Sequence, residues 1–106
     1  DKTEALKYIK YSMAMEDGLR ALKRKYTNNQ GNLTDSDKLT EEAERMSVAI
    51  ANNIYSDVEE LSLDDFNNIN NNNESEQYNK PLYRKTLSAI QLYNYFITSL
   101  NDYYKH

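Results

Sequence analysis

The sequence lacks most of the residue types that carry enzyme chemistry. Its 106 residues include no cysteine and no tryptophan, and its single histidine is the last residue, His106. Without cysteine the chain can form neither a disulfide framework nor a thiol nucleophile. Without an internal histidine it has no Ser–His–Asp or Cys–His system. It also has no glycine-rich phosphate loop. We therefore expect a non-enzymatic protein with no catalytic residue, no metal and no cofactor.

Long apolar runs are absent as well. No stretch approaches the roughly 20 apolar residues that a membrane-spanning helix needs, so no transmembrane segment is predicted. The sequence begins at Asp1 rather than at Met, which is compatible with a leader or an anchor outside it. Together with the missing cysteine, this start favours an exported or surface-anchored protein over a cytoplasmic one. The high asparagine content indicates an AT-rich genome and hence a low-GC bacterium.

Three segments place apolar residues at helical spacing, and polar connectors rich in asparagine separate them. This pattern predicts a single all-α domain, residues 1–106, folded as an antiparallel three-helix bundle. The predicted helices cover about residues 3–27, 36–61 and 80–104. The predicted core stripe of the first helix runs through Ala5, Ile9, Met13 or Ser12, Glu16 or Met15, Leu19, Leu22 and Tyr26. A short extra helical turn near residues 62–70 is compatible with the pattern. Residues 67–79 are predicted to form an asparagine-rich loop, with too few apolar side chains to pack.

The charge is distributed unevenly along the chain. Residues 1–27 contain seven basic and four acidic residues, residues 28–79 two basic and twelve acidic, and residues 80–106 four basic and one acidic. A middle helix of net negative charge between two basic ones predicts charge complementarity within the bundle. A partner-facing acidic surface is the alternative. The overall charge of −4 argues against nucleic acid as a partner.

The third predicted helix is apolar over an unusually wide face. Two adjacent stripes of apolar side chains run along it, so the helix either contacts both other helices or has a further partner. Because tyrosine-rich apolar patches are typical of interface cores, this face is the candidate protein-binding surface. Its candidate contact residues are Tyr83, Tyr93, Tyr95, Phe96, Tyr103 and Tyr104.

A basic cluster closes the first predicted helix and is a candidate for contact with an anion. It comprises Arg20, Lys23, Arg24 and Lys25. Cations at this position also complement the negative end of the helix dipole, which explains the cluster without a ligand. Paired acidic residues such as Glu41 and Glu42 fall off the apolar stripe of the second helix, so they are interpreted as a solvated face rather than a metal site.

The sequence therefore predicts a small helical protein-interaction domain. In this interpretation, the tyrosine-rich face of the third helix, together with the first helix, binds a protein partner. One alternative is a homodimeric assembly module in which a second copy covers the same face. Another is a carrier of a lipid or other apolar ligand between the helices, which methionines in the predicted core would accommodate. No family resemblance is apparent from these residues.

Overall fold

The computed structural model describes residues 1–72 and 80–103, and within them the chain forms four α-helices. These are α1 (Lys2–Tyr26), α2 (Ser36–Ile54), α3 (Leu63–Asn72) and α4 (Pro81–Tyr103). The all-α prediction is confirmed. Three of the helices are long, as predicted, and the short α3 makes the architecture a four-helix rather than a three-helix one.

Short polar side chains begin three of the helices. Asp1 Oδ1 accepts a hydrogen bond from the backbone N–H of Thr3 at 2.8 Å, and Asp35 Oδ1 accepts one from Lys38 at 3.1 Å. Ser62 Oγ accepts one from the N–H of Asp65 at 3.1 Å. Each cap satisfies an N–H group that has no partner within the first helical turn.

The connector between α1 and α2 is a compact polar turn. Asn28 Oδ1 accepts from the N–H groups of Gln30 and Asn32, at 2.9 and 3.0 Å. Gly31 adopts φ 78°, a conformation that costs a residue with a Cβ free energy. An isolated β-bridge between Thr27 and Leu33 closes the turn, so that α2 returns along α1 and packs against it.

The second helix ends earlier than predicted. Apolar residues continue at helical spacing to Leu61, but α2 ends at Ile54. Beyond it, the side chain of Asn52 accepts from the N–H of Leu61 at 2.8 Å and donates to its carbonyl at 2.9 Å. These two bonds fold the chain back, and Leu61 is 1% exposed. The prediction of a helix to residue 61 was wrong because the chain leaves the helix after Ile54 and buries Leu61 from a loop.

The chain after this loop is more helical than predicted. Helix α3 continues to Asn72, so the part of the predicted asparagine-rich loop 67–79 that covers residues 67–72 is helical instead. Phe66 explains why the helix forms against the bundle, because its ring is fully buried and meets the Tyr93 ring edge-on at 5.7 Å. The remainder of the predicted loop, residues 73–79, lies outside the described residues.

Helix α4 supplies much of the core. It packs against α1, α2 and α3. Of the two adjacent stripes that the sequence left open, the one containing Ala89, Phe96 and Leu100 is buried along the helix, and Tyr83 of the other stripe is buried as well. Small residues on α2 allow close approach, since Ala43, Ser47 and Ala51 are all buried. The buried apolar residues form two clusters, one around Leu22 and Phe96 and one around Leu61 and Phe66.

Candidate functional site: the outward face of α1

Helix α1 has apolar side chains on two opposite faces. Its core face carries the buried residues Gly18, Leu22 and Tyr26. At about 100° per residue, Leu6, Ile9 and Met13 fall within a sector of about 60° on the opposite side of the helix. In the structure these three side chains are 56%, 53% and 59% exposed. We call them the outward stripe; none of α2, α3 and α4, as far as these are described, covers them.

The stripe was missed from the sequence, although its signal was present. The predicted core stripe of the first helix included Ile9 and Met13, and the structure places both at the surface. The spacing of Leu6, Ile9 and Met13 is as regular as that of a core stripe. Spacing alone does not reveal which of two opposite faces meets the rest of the bundle, so the wrong face was chosen for this half of the helix.

An apolar groove adjoins the stripe. It lies between α1 and α2, has a volume of about 480 Å³ and shares Met13 with the stripe. Ala14 lines it from α1, and Met46, Ala49 and Ile50 line it from α2. Because Met13 and Ala49 are exposed, the groove is open to solvent rather than enclosed. Lys10, Asp17 and Asn53 also line the groove, so stripe and groove form one continuous, largely apolar surface with polar side chains along it.

Charges of opposite sign flank the stripe along the helix axis. Lys2 lies one turn before Leu6, whereas Glu16 and Asp17 lie about one turn after Met13, and all three are exposed. Asp17 pairs with Arg20 across 3.7 Å, and both side chains are largely exposed. Directly beside the stripe the charge is therefore positive on the N-terminal side and negative on the C-terminal side, with Arg20 one turn further along.

Four of the six candidates of the third predicted helix, now α4, are either buried or half-buried. Tyr83 and Phe96 are 3% and 0% exposed, so their side chains belong to the interior of this fold. Tyr93 and Tyr95 are half-buried, and burial raises the pKa of Tyr93. Tyr103 is the last residue of α4. Tyr104 lies outside the described residues.

The four residues of the predicted basic cluster have different surroundings. Lys25 donates to Glu42 of α2 at 2.8 Å, and Arg20 pairs with Asp17 within α1. Lys23 is half-buried, and Arg24 is exposed. Lys25 and Arg20 thus pair with acidic residues, and the Lys25 pair joins α1 to α2.

Glu42 is the centre of a small polar network between α1 and α2. Its carboxylate accepts from Lys25 and, at 2.5 Å, from the Tyr26 hydroxyl. The hydrogen bond from Lys25, followed by the one from Tyr26, lowers the pKa of Glu42. The bond between Tyr26 and Glu42 also raises the pKa of Tyr26. The network fixes the C-terminal end of α1, because both donors lie in its last turn.

The N-terminal half of α1 is attached to the bundle by polar contacts on its core side. Lys7 Nζ lies 3.3 Å from the Asp57 carboxylate and 5.2 Å from the centre of the Tyr55 ring. The Tyr11 hydroxyl donates to the carbonyl of Ser88 on α4 at 3.1 Å, and burial raises its pKa. These contacts hold α1 on the bundle while leaving the outward stripe exposed.

A buried lysine holds the loop between α2 and α3. Lys85 is 2% exposed, and its ammonium donates to the carbonyls of Val58 and Glu59 at 3.1 and 3.0 Å. Burial lowers the pKa of Lys85, while the nearby acidic residues, led by Asp57, act in the opposite direction. Both acceptors are backbone groups of the loop, so this lysine serves the fold rather than a ligand.

Neither a metal site nor a membrane-spanning helix is found in residues 1–72 and 80–103. No three acidic or histidine side chains there converge on a point that a metal ion could occupy. No helix of the described chain has the length and apolar content needed to cross a bilayer. The distinctive feature of the described surface is the outward stripe of α1 beside the open groove.

Fold and surface together define a small helical-bundle protein with an exposed apolar helix face. Comparisons of the chain with models of protein families, with curated proteins and with solved structures find no significant match. The function is therefore inferred from the surface itself.

Proposed function

We propose that this chain is a non-enzymatic protein-interaction domain whose contact surface is the outward stripe of α1 with the adjoining groove. The observation that carries the proposal is that Leu6, Ile9 and Met13 are each more than half exposed while aligned on one helix face. A contiguous apolar patch on a small protein marks an interaction site far more often than scattered apolar residues do. The contact moves from the tyrosines of α4 to α1 because Tyr83 and Phe96 are buried.

The shape of the surface favours a helix as the binding element. The stripe spans about two helical turns, and the groove beside it runs between two helices. An amphipathic helix inserts side chains at this spacing into such a groove. A small apolar ligand fits less well, since ligand pockets bury most of their occupant and this groove has exposed residues along its walls. The carrier alternative is therefore the less favoured one.

The experiment that tests the proposal places a photo-reactive amino acid at Ile9 in the cells that make the protein. Irradiation should give a covalent adduct between this chain and another polypeptide, which includes a second copy. The matched control carries the same amino acid at Asn94, an exposed position on α4. Adducts at Ile9 and none at Asn94 support the proposal. Equal labelling at Ile9 and Asn94, or no adduct at Ile9, would contradict it.

Export and bacterial origin stay predictions from the sequence. Fractionation of the producing cells checks export, and the chain is expected outside the cytoplasm. A chain recovered wholly with the cytoplasmic fraction would contradict export while leaving the contact surface unaffected.

A further inference from the structure

We propose that the occupant of the outward stripe is a second copy of this chain, bound with its α1 antiparallel to the first. The pairing has a two-fold axis close to Ile9. This inference rests on the proposed function, because it names the partner of the same surface. Most soluble oligomers are closed two-fold dimers, in which one patch must be complementary to itself. The stripe meets that requirement in both its apolar and its charged residues.

The apolar residues are arranged nearly symmetrically about a point just after Ile9. Leu6 lies three residues before Ile9 and Met13 lies four residues after it. In an antiparallel pair centred beside Ile9, Leu6 of each copy therefore faces Met13 of the other, and the two Ile9 side chains meet near the axis. All three are more than half exposed in the single chain, so pairing removes apolar surface from water without unfolding any contact.

The charged ends decide between antiparallel and parallel pairing. Lys2 lies seven residues before Ile9 and Glu16 seven residues after it, about 10 Å along the axis in each direction. Antiparallel pairing places Lys2 of each copy beside Glu16 of the other, with Asp17 adjacent. Parallel pairing would place Lys2 against Lys2 and Glu16 against Glu16. Parallel pairing would also place the two positive helix N-termini side by side, which antiparallel pairing avoids.

The groove enlarges the surface that such a dimer buries. Met13 belongs both to the stripe and to the groove, whose other wall is Met46, Ala49 and Ile50 of α2. A second α1 lying over the stripe covers the mouth of the groove as well, so the dimer contact includes side chains of two helices. Methionine suits this position because its flexible side chain adapts to a neighbouring helix.

The first experiment measures mass in solution. Light scattering coupled to size exclusion, across a range of protein concentration, should show a dimer for the wild type. Ile9→Glu places a carboxylate on the axis from both copies and should weaken the dimer at least about a hundredfold, leaving a folded monomer. Asn94→Glu adds the same charge at an exposed site on α4 and should leave the dimer unchanged. Circular dichroism verifies that both variants are folded.

The second experiment tests direction and uses the absence of cysteine in the natural chain. Lys2→Cys and Glu16→Cys are prepared separately and then mixed under mild oxidation. The mixture should give a disulfide-linked dimer joining one chain of each kind, because the two positions face one another only in the antiparallel pair. Each variant alone should give little linked dimer. Efficient linkage of Lys2→Cys with itself would overturn the antiparallel arrangement.

A charge exchange gives a third and independent readout. Lys2→Glu or Glu16→Lys alone should weaken the dimer about fivefold, since each places like charges together at both ends of the contact. The double variant should recover the wild-type affinity. Equal weakening in the double and single variants would contradict the proposed pairing of these two residues.

Failure of the dimer and failure of the proposed function give different results. A wild-type chain that stays monomeric, but forms adducts from Ile9 with a different polypeptide, rejects the second copy and retains the interaction surface. A monomer without adducts rejects both. Sedimentation of the chain with vesicles of phosphatidylglycerol and phosphatidylcholine, lost in Ile9→Glu, would also reject both and assign the stripe to a lipid surface.

Discussion

Helices α1 and α4 are similar in length and in the width of their apolar faces, but they occupy different positions in the fold. Both are long, 25 and 23 residues, and both carry apolar side chains over a wide part of their circumference. The wide face of α4 is covered, because the helix packs against α1, α2 and α3. Helix α1 lies at the side of the bundle, so its second apolar face is exposed. An apolar face thus indicates an interaction surface only when the position of the helix leaves it uncovered.

The largest expected effect separates the buried face of α4 from the outward face of α1. Phe96→Ala should lower the free energy of unfolding by about 3–5 kcal/mol, because the ring is fully buried in the core. Ile9→Ala should change it by no more than about 0.5 kcal/mol, since the side chain is half exposed. Urea denaturation at a protein concentration low enough to keep the chain monomeric measures both. Similar losses would show that the outward stripe is part of the core.

The next effect concerns the loop that follows α2 and lies against α4. Asn52→Ala removes both hydrogen bonds to Leu61 and should cost about 2 kcal/mol of unfolding free energy, because the half-buried backbone groups lose their partners. Asn53→Ala, one residue further along, is the matched control. Asn53 is exposed, so its replacement should cost little. Equal losses at the two positions would contradict the role assigned to Asn52 in ending the helix.

A smaller effect probes the contact between α1 and α4 directly. In most helix interiors Gly→Ala gains about 1 kcal/mol. A Cβ at Gly18 would lie 2.6 Å from Phe96 Cζ and 3.1 Å from Met46 Sδ, so Gly18→Ala overpacks the core. Overpacking costs about 1–3 kcal/mol, and we expect a net loss of about 1 kcal/mol. Thermal unfolding of Gly18→Ala with and without Phe96→Leu checks the cause, because the smaller side chain should relieve the loss.

The smallest effects are pH dependences of stability. The lowered pKa of Glu42 means that the folded chain favours its carboxylate, so stability is present above its usual pKa and falls as the pH drops through the lowered value. The raised pKa values of Tyr11 and Tyr26 affect stability at alkaline pH. Their contribution is complete below pH 10 and is lost as the pH rises beyond it.

Two conservative variants separate these ranges. Glu42→Gln should flatten the acid branch of a stability profile recorded by denaturation between about pH 3 and 7. Tyr11→Phe should flatten part of the alkaline branch, where tyrosinate absorbance reports the titration. An acid branch unchanged by Glu42→Gln would remove Glu42 from the explanation.

The sequence predicted the long helices well because local signals and tertiary packing agree there. Asp35 caps α2 at its observed start, and Pro81 opens α4 where its missing N–H costs nothing. The end of α2 was predicted wrongly because neither glycine nor proline interrupts residues 55–62. The signals that end it are contacts made at a distance, from Asn52 to Leu61 and from Lys85 to Val58.

The candidate site divides in the same way. The tyrosine count of α4 suggested an interface, but burial depends on which helices lie beside α4, and the structure places Tyr83 and Phe96 inside. Ile9 and Met13 of the outward stripe were predicted to face the core, and the structure places both at the surface. Periodicity measures how apolar residues cluster around a helix axis, and it is unaffected by where the neighbouring helices lie.

The sequence by itself determined the helical class, the presence of the three long helices and where each of them begins. These follow from spacing, capping and composition, which act within a few residues of the chain. Only the tertiary structure decided where α2 ends, that α3 forms, and which face of α1 remains in solvent. Those outcomes depend on residues far apart in sequence competing for the same core, and local patterns contain no information about that competition.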